Sequence, residues 1–583
     1  MTAGRGPAAQ GVLAQQDRAT TGYNGPDETV NGLPGTGKTT HLLDTFIREV
    51  ENNGVRPTDI AAVTFRRAMA TEFRNRIEKR LGDDLAADGR NHWVRTVHSA
   101  CFRLLGLSRE QVVDDEDRYE VCESIGVPFR GGVDDEDEDD RPAWMQLSGG
   151  GGAELGNRLF NLRSHCIQTF RDPVSGWRET PAISVELRQA LGSSPGIVER
   201  FNEEYEQQKR ESGLLDFDDM LLDVLRDGVT PPVRVLIEDE YQDKTPLQVA
   251  IHRQWAEQAE RVYVAGDVQQ TLYGFMGTNP EHMHDAIANA DETTVLDTSY
   301  RFGPDLWEFA TSILGDAGVA DVPPIEPVGE SSVDRISMPE YRDVVADIPE
   351  EDTLHLVRAN YMADTVGDVL KQAGVPFKNA RWGVRWTDRM YRLYNATAAL
   401  VRAVADSADE FGTPDYSNVS RTDARHLVKP LPAHMFAGRK RADRKLDALD
   451  ATDGDGFGEV DLKSWFDVGE LLALLDAPTP FDAMNPSGVG SEDVRDRLKE
   501  AWRVRDGAPI GDLTHTITTI HGAKGAEADT VFLYDASTKR IQRDADPTAE
   551  ARVWFVGATR AKNRLYVVSS DAQHRQPLPE VSG

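Results

Sequence analysis

The sequence predicts an α/β protein built on two parallel-sheet cores, each interrupted by a mainly helical insertion. Three observations lead there. Short apolar, β-rich runs recur, each beside a turn or the start of a helical stretch: Ala61–Phe65, Val235–Ile237, Val262–Ala265, Thr353–Val357, Thr530–Tyr534 and Arg564–Ser569. Such runs, alternating with helices, form parallel strands covered on both faces, so they need no polar alternation. They fall into two groups, in residues 25–300 and 350–583, and a chain of 583 residues exceeds what one hydrophobic core sustains. The third observation is a phosphate-loop pattern in the first group, Gly32-Leu33-Pro34-Gly35-Thr36-Gly37-Lys38-Thr39, with strand-like Thr29-Val30 before it and the amphipathic stretch Thr40–Val50 after it.

That pattern has a direct chemical reading. Its glycines let the backbone wrap closely, so that N–H groups point at phosphate oxygens, and the helix that follows adds its positive end. Lys38 would reach the outer phosphates, and the Thr39 hydroxyl would ligate Mg²⁺. The second half of such a site is an acidic pair ending a buried strand, and Arg234-Val235-Leu236-Ile237-Glu238-Asp239-Glu240-Tyr241-Gln242-Asp243 supplies it. The apolar run would deliver Asp239 to the metal and leave Glu240 to polarise an attacking water.

The remaining segments divide the chain. Residues 1–100 and 206–310 form the expected first core, separated by a helical insertion at 101–205 that carries an acidic, glycine-rich loop (Gly131–Asp140 and Ser148–Gly152). That loop is read as a solvated surface. Residues 311–400 and 506–583 form the second core, with a second helical insertion at 401–505.

Charge is the outstanding bulk property. The chain has 98 acidic and 65 basic residues, net −33, and arginine far outnumbers lysine. Taken alone, this balance argues against a nucleic-acid partner, whose footprint is normally basic. It equally suits a protein that works in concentrated salt: at about 1 M the Debye length falls to roughly 3 Å, and a carboxylate-rich surface no longer repels itself. The scarcity of lysine favours the salt reading. The three cysteines, Cys101, Cys122 and Cys166, have no C-x-x-C spacing. That fits a reducing cytoplasm rather than a disulfide framework or a zinc site. No apolar run approaches the ~18 residues that span a bilayer, and Met1–Gln10 has no apolar signal core. The expectation is a cytoplasmic protein without a membrane partner.

With the phosphate loop and acidic pair in place, the other segments resemble superfamily 1 DNA helicases of the UvrD/Rep type, in order along most of the chain. Asp239-Glu240-Tyr241-Gln242-Asp243 is similar to the family's D-E-x-Q-D, Val63–Ala70 to its T-F-T-N-K-A-A segment, and Thr96-Val97-His98-Ser99 to T-F-H-S. Gly266–Tyr273 resembles G-D-x-x-Q-S-I-Y, and Ser299-Tyr300-Arg301 resembles N-Y-R. Thr519–Glu527 matches T-x-H-x-A-K-G-x-E, Val556–Ala561 matches V-A-x-T-R-A, and Asp216-Phe217-Asp218-Asp219 is similar to a D-F-D-D segment.

The resemblance implies two RecA-like P-loop cores with ATP and Mg²⁺ between them and single-stranded DNA running across both. It implies that Gly32, Leu33, Pro34, Gly35, Thr36, Gly37, Lys38, Thr39 and Thr40 hold the nucleotide, with Thr39 and Asp239 on the metal. The catalytic set would be Lys38, Asp239, Glu240, Gln270, Arg301 and Arg560, the last donated by the second core. Tyr300 would stack on adenine, Glu527 would meet the ribose, and Gln15 or Gln16 would read the base. On the DNA side the resemblance implies Phe65, Tyr273 and Phe275 as base-stacking rings, with His98, Thr519 and His521 beside them. Stacking is worth about 1–3 kcal/mol per base and survives salt that screens phosphate contacts.

The expected activity is therefore an ATP-driven helicase or translocase on single-stranded DNA and single/double-strand junctions, moving 3′→5′, as a monomer or weak oligomer. A protein-displacing translocase without processive unwinding and a 5′→3′ superfamily 1 helicase stay open. The chain departs from the family pattern at Met276, where arginine is usual, and at Arg66-Arg67, where asparagine and lysine are usual. Residues 401–505 also lack an evident likeness to the family's second insertion.

Three other signals carry less. Asp453-Gly454-Asp455-Gly456 fails the calcium-loop pattern, since Ala451 and Leu462 stand at the terminal ligand positions. His282-Met283-His284 has no third ligand nearby and is read as a surface turn. The basic cluster Gly438-Arg439-Lys440-Arg441 with Arg444 and Lys445 is read as a solvated helix face or a phosphate contact.

Overall fold

The computed structural model describes residues 25–64, 67–82, 92–131, 154–180, 185–194, 196–274, 277–319, 322–379, 388–408, 421–436, 466–511 and 513–580. Gln15, Gln16, Phe65, Phe275, Met276, nearly all of the acidic glycine-rich loop, the Asp453 turn and the Arg439 cluster lie outside these residues. The chain divides into two compact units, Met1–Ser331 with Ala545–Lys562, and Ser332–Asp544 with Asn563–Gly583.

The first unit is built on strands β1 (Glu28–Gly32), β2 (Ile60–Thr64), β3 (Trp93–Thr96), β4 (Val235–Glu238), β5 (Arg261–Gly266) and β6 (Glu292–Leu296). They form one sheet in the order β3-β2-β4-β5-β1-β6, with every pairing parallel. The period of two explains why the runs are continuously apolar. Ile60, Ala62, Val235, Ile237, Tyr263 and Ala265 face one way and pack with Leu42, Phe46 and Phe73 from flanking helices. Ala61, Val63, Leu236, Val262 and Val264 face the other way and pack with Leu221, Val224, Leu247 and Ile251. Both faces are therefore core, as a sheet covered by crossover helices requires. A two-residue pairing, β7 (Thr298–Ser299) with β8 (Glu326–Pro327), follows in the same unit.

Parallel strands all end at one edge, and here each strand end leads into one of the segments singled out above. The phosphate loop follows β1, Thr96-Val97-His98 straddles the end of β3, Asp239-Glu240 follows β4, Asp267–Gln270 follows β5, and Ser299-Tyr300-Arg301 lies just past β6. Ligands in open parallel sheets bind at this carboxyl edge. The helical insertion of this unit has its own apolar cluster, with Val121, Cys122, Leu159, Phe160, Leu191, Phe201 and Tyr205 at its centre. All three cysteines are free and buried.

The second unit carries β9 (Ser332–Ser337), β10 (Thr353–Val357), β11 (Phe377–Asn379), β12 (His515–Thr519), β13 (Ala528–Tyr534) and β14 (Ala561–Ser569), in the order β11-β12-β10-β13-β14-β9. The described helices of the predicted second insertion do not build a separate core. Leu427, Phe436, Phe466, Leu474, Phe481 and Leu498 belong to the same apolar cluster as Val357, Phe377, Ile517 and Phe532 of the sheet.

His282-Met283-His284 is helical, within Glu281–Ala288, and not a surface turn. Met283 and Ala286, one helical turn apart, bury into the core, and this apolar spacing decides the conformation.

Two histidines make the second unit acid-sensitive. His515 Nε2 lies 2.9 Å from the Ile348 carbonyl, which can only accept, so Nε2 carries the proton and Nδ1 accepts. His355 Nε2 then donates to that Nδ1 at 2.9 Å, and Tyr341 Oη donates to His355 Nδ1 at 2.6 Å. The chain is satisfied only when both rings are neutral. Burial holds His515 at about 4 and His355 well below the ordinary histidine range. In the unfolded chain both titrate near ~6.5. Stability from keeping these rings neutral is thus complete above the unfolded value and is lost as pH falls from ~6.5 toward 4, by up to about 2.7 kcal/mol per pH unit for two groups. Urea unfolding at pH 7.5 and 5.5 should show a lower midpoint at the acid value; equal midpoints would contradict this assignment.

Candidate functional site

The phosphate loop is shaped by its glycines. Gly35 and Gly37 have φ of 77° and 90°, in the left-handed region that residues with a Cβ avoid. A Cβ at Gly35 would also sit 2.5 Å from Arg301 Cβ and 2.6 Å from Ser299 Oγ, so the loop and the segment past β6 approach backbone to side chain. Two bonds lock that approach: Ser299 Oγ donates to the Pro34 carbonyl at 2.9 Å, and Tyr300 N–H donates to the Gly35 carbonyl at 3.0 Å. Gly37 caps the helix Lys38–Glu51, whose first turn therefore presents unpaired N–H groups to the loop. Lys38 is buried, and its Nζ donates to the Gly32 carbonyl at 2.6 Å. Gly35→Ala should weaken nucleotide binding at least tenfold through both strain and the clash with Arg301; equilibrium titration with a fluorescent ATP analogue would expose an unchanged affinity.

The acidic pair meets this loop directly. Thr39 Oγ1 donates to Asp239 Oδ2 at 2.9 Å. Burial, reinforced by the neighbouring Glu240, pushes the Asp239 carboxyl up to about 6. Glu240 takes a left-handed φ of 55°, a strained position for glutamate that turns its side chain away from the strand direction. Its Oε2 accepts from Gln242 Nε2 at 2.5 Å, and Gln242 Oε1 accepts from Asp267 N–H at 3.0 Å, tying the end of β4 to the end of β5. Below the pair, Glu238 is fully buried, with Lys244 Nζ at 2.9 Å and His252 Nδ1 at 2.8 Å. Burial alone would raise its pKa; Lys244 and His252 beside it outweigh burial and hold the group at about 2.

The arginine side is formed by the helix Pro547–Ala558, which packs in the first unit although its sequence lies between β13 and β14. Trp554, Phe555 and Val556 are wholly buried, and the Phe555 ring meets Trp307 edge-on at 6.1 Å. This packing carries Arg560 in, at 2% exposure. Its guanidinium donates to Gln270 Oε1 at 2.9 Å and to the Val556 carbonyl at 3.0 Å. Gln270 Nε2 in turn donates to Asp267 Oδ2 at 2.6 Å. Arg301 donates to the Thr559 carbonyl at 3.1 Å, next to Arg560 in the chain.

The structure thus brings together Lys38, Thr39, Asp239, Glu240, Gln270, Arg301 and Arg560 in the first unit. Thr40 is exposed and accepts from Arg76 at 3.1 Å. Tyr300 is 73% exposed beside the loop. The candidate DNA-side residues sit differently: Tyr273 is wholly buried, and His98 is buried edge-on to Phe217 with ring centroids 6.0 Å apart. Burial, with Lys244 nearby, holds the His98 imidazole at about 4. Thr519, His521 and Glu527 belong to the second unit, Thr519 ending β12 and Glu527 exposed just before β13. Among residues without an assigned role, Glu238, Gln242, Lys244 and Asp267 are part of the site's framework. All four lie at or within six residues of the end of an apolar strand, but in sequence each is an ordinary polar residue.

A set of one lysine, two arginines, helix-start N–H groups, a hydroxyl–carboxylate pair and a second carboxylate has a definite chemistry. Such a set can neutralise a polyphosphate, offer two oxygen ligands to a divalent cation and leave a carboxylate to orient water.

Two family models match the chain: the UvrD/REP helicase N-terminal domain over residues 13–291 and the UvrD-like helicase C-terminal domain over residues 514–572. Among characterised proteins, the chain is 24% identical over 675 residues to the ATP-dependent DNA helicase UvrD1 of Mycobacterium bovis, covering 97% of this chain and 83% of that protein. It is 24% identical over 620 residues to UvrD2 of Mycobacterium tuberculosis, covering 98% and 80%. A shorter match, 23% identical over 319 residues, joins 52% of this chain to 39% of the ATP-dependent DNA helicase PcrA of Staphylococcus aureus.

Proposed function

The chain belongs to the UvrD/Rep family of superfamily 1 DNA helicases, ATP hydrolases that depend on DNA, and from that premise we propose that it is a 3′→5′ motor on single-stranded DNA. The observation that carries the reading is the 2.9 Å contact between Thr39 and Asp239 beside the buried Lys38. It joins the phosphate loop to the acidic pair in the arrangement that ATP hydrolysis needs.

In this reading Lys38 exchanges its contact with the Gly32 carbonyl for β- and γ-phosphate oxygens, and the loop N–H groups hold the rest of the triphosphate. Thr39 and Asp239 fit Mg²⁺, being a hydroxyl and a carboxylate converging from two elements; the ion supplies charge neutralisation between the phosphates. Glu240 orients the attacking water, and the αL backbone and the Gln242 bond hold it in place. Arg301 and Arg560 stabilise charge on the γ-phosphoryl group, while Gln270, bonded to both Arg560 and Asp267, registers its presence. Tyr300 stacks on adenine, Glu527 meets the ribose, and Gln15 or Gln16 selects the base. Phe65, Tyr273, Phe275, His98, Thr519 and His521 serve the DNA strand. Tyr273 and His98, being buried, must then become accessible as the strand engages, a change coupled to the cycle.

Arg560→Ala should lower kcat about 10³-fold while leaving ATP binding within a few-fold, because its contact is made to the charge that develops in the transition state. A parallel rise in KM would instead assign it to ground-state binding. With net charge −33, the motor is expected to prefer about 1 M salt and to work in a cytoplasm of that strength. The test of polarity is strand displacement on duplexes bearing a 3′ or a 5′ tail, across a salt series. Displacement from the 3′-tailed duplex alone supports the reading. Displacement from the 5′-tailed one assigns the opposite direction, and ATP consumption with neither duplex opened assigns a translocase.

A further inference from the structure

The end of one helix in the first insertion touches both Thr245, just past the acidic turn, and Gly277, past β5. Helix Leu155–Gln168 ends in Gln168, which is 1% exposed. Its Oε1 accepts from Thr245 Oγ1 at 2.5 Å, and its Nε2 donates to Asp218 Oδ1 at 2.7 Å. Thr245 caps the helix Pro246–Ala256 by accepting from the Gln248 N–H. It directly follows Lys244, whose Nζ lies 2.9 Å from Glu238, the residue before Asp239. The next residue along the insertion, Thr169, lies against Gly277. A Cβ at Gly277, whose φ is 91°, would sit 2.2 Å from Thr169 Cγ2. Gly277 N–H donates to the Gly274 carbonyl at 2.9 Å and Thr278 N–H to the Tyr273 carbonyl at 3.4 Å, so Tyr273 and Gly274 are tied to the residue that rests on this helix end.

Besides the apolar packing of Ile167 and Phe170 against the core, two chemically distinct polar attachments stand out among the described residues. One is a buried ion cluster: Arg163 and Lys209 each contact Asp216 at 3.0 Å, and Lys209 contacts Asp219 at 2.7 Å. Asp216 and Asp219 form the capping box of helix Phe217–Asp227, so this cluster is an anchor. The other is Gln168, a neutral amide. It needs its acceptor face for Thr245 and its donor face for Asp218, so a shift of either partner breaks a bond in a dry environment.

We propose that Gln168 is a positioning residue that couples the DNA-facing side of the first core to the acidic turn, acting through Thr245. Engagement of a strand moves Tyr273 and Gly274, and with them Gly277 and the helix end it rests on. Through Gln168 that movement resets the cap of Pro246–Ala256 and with it the turn that holds Asp239 and Glu240. The inference rests on the motor reading given above.

The test uses the full chain and a single-stranded oligo-dT as the probe. Gln168→Met keeps the length and packing but can make neither bond, whereas Asp218→Asn keeps the acceptor that Gln168 and Ser164 use. In Gln168→Met the rate without DNA should stay within about twofold of wild type, and oligo-dT affinity by fluorescence anisotropy within about threefold, while activation by DNA drops about tenfold. Asp218→Asn should retain activation. Full activation in Gln168→Met overturns the proposal, as does a parallel fall of basal and activated rates, which would mark Gln168 as structural support only. Should Gln168→Met fail to fold, Gln168→Asn, too short to reach both partners, is read by the same criteria. A wild-type chain that ignores oligo-dT overturns the motor reading itself, a result distinct from either outcome in the variant.

Discussion

Lys38→Ala is expected to lower DNA-stimulated ATP hydrolysis on the order of 10²–10³-fold or more. The lysine is the cation inside the loop, buried to 9% exposure and held 2.6 Å from the Gly32 carbonyl. Removing it strips the loop of its own cation, in a site whose burial makes every lost charge contact costly. The structural cost is small by comparison. The Gly32 carbonyl loses one partner, worth about 1 kcal/mol, so the variant should fold and show a thermal midpoint near that of wild type. Lys38→Arg should not rescue activity. A Cβ at Gly32 would already stand 2.9 Å from Lys38 Cγ, and the wider guanidinium fork needs space this tight loop lacks. Steady-state hydrolysis at saturating DNA decides the matter; a variant within tenfold of wild type would show that Lys38 does not contact the phosphates.

Glu240→Gln is expected to reduce kcat by about 10²–10⁴-fold with KM for ATP changed by no more than a few-fold. The separation of the two constants is the informative part. Asp239 is bonded to Thr39 of the phosphate loop, whereas Glu240 is held by Gln242 and in the proposed mechanism meets the attacking water. The amide is nearly isosteric, and its carbonyl oxygen can still accept from Gln242, so the left-handed turn should survive. Replacing a charge that only orients water removes a term made in the transition state and leaves ground-state binding alone. Should KM rise as steeply as kcat falls, Glu240 would be a binding group and water would be oriented by another residue.

Much of this arrangement was legible because buried parallel strands announce themselves. Five of the six apolar runs expected as strands lie within strands, the sixth, Ala61–Phe65, does so through Thr64, beyond which it lies outside the described residues, and β10, Thr353–Val357, has the predicted bounds. The edge strands were harder to see. β3 (Trp93–Thr96) includes Arg95, and β6 (Glu292–Leu296) alternates between exposed and half-buried residues, so neither has the continuous apolar run of a covered strand. β12, His515–Thr519, reads as polar because His515 and three threonines supply much of it, yet His515 is fully buried through hydrogen bonds no composition rule anticipates. In the site, Lys38, Thr39 and Asp239 could be paired from motif spacing alone. The helix Pro547–Ala558 could not be assigned to the first unit from sequence, since its chain position lies between strands of the second sheet. Nor could Gln168, Lys244 and Glu238 be singled out, because each is an ordinary polar residue until the fold buries it against a specific partner.

The central claim is that ATP hydrolysis at Lys38, Asp239 and Glu240 is driven by engagement of single-stranded DNA. Its most direct measurement is the ATP hydrolysis rate of the full chain, with Mg²⁺ at about 1 M salt, with and without a single-stranded oligonucleotide. The account predicts strong activation by the oligonucleotide, saturating with its concentration and absent in Lys38→Ala. A rate that is identical with and without DNA, in an enzyme that hydrolyses ATP, would contradict it.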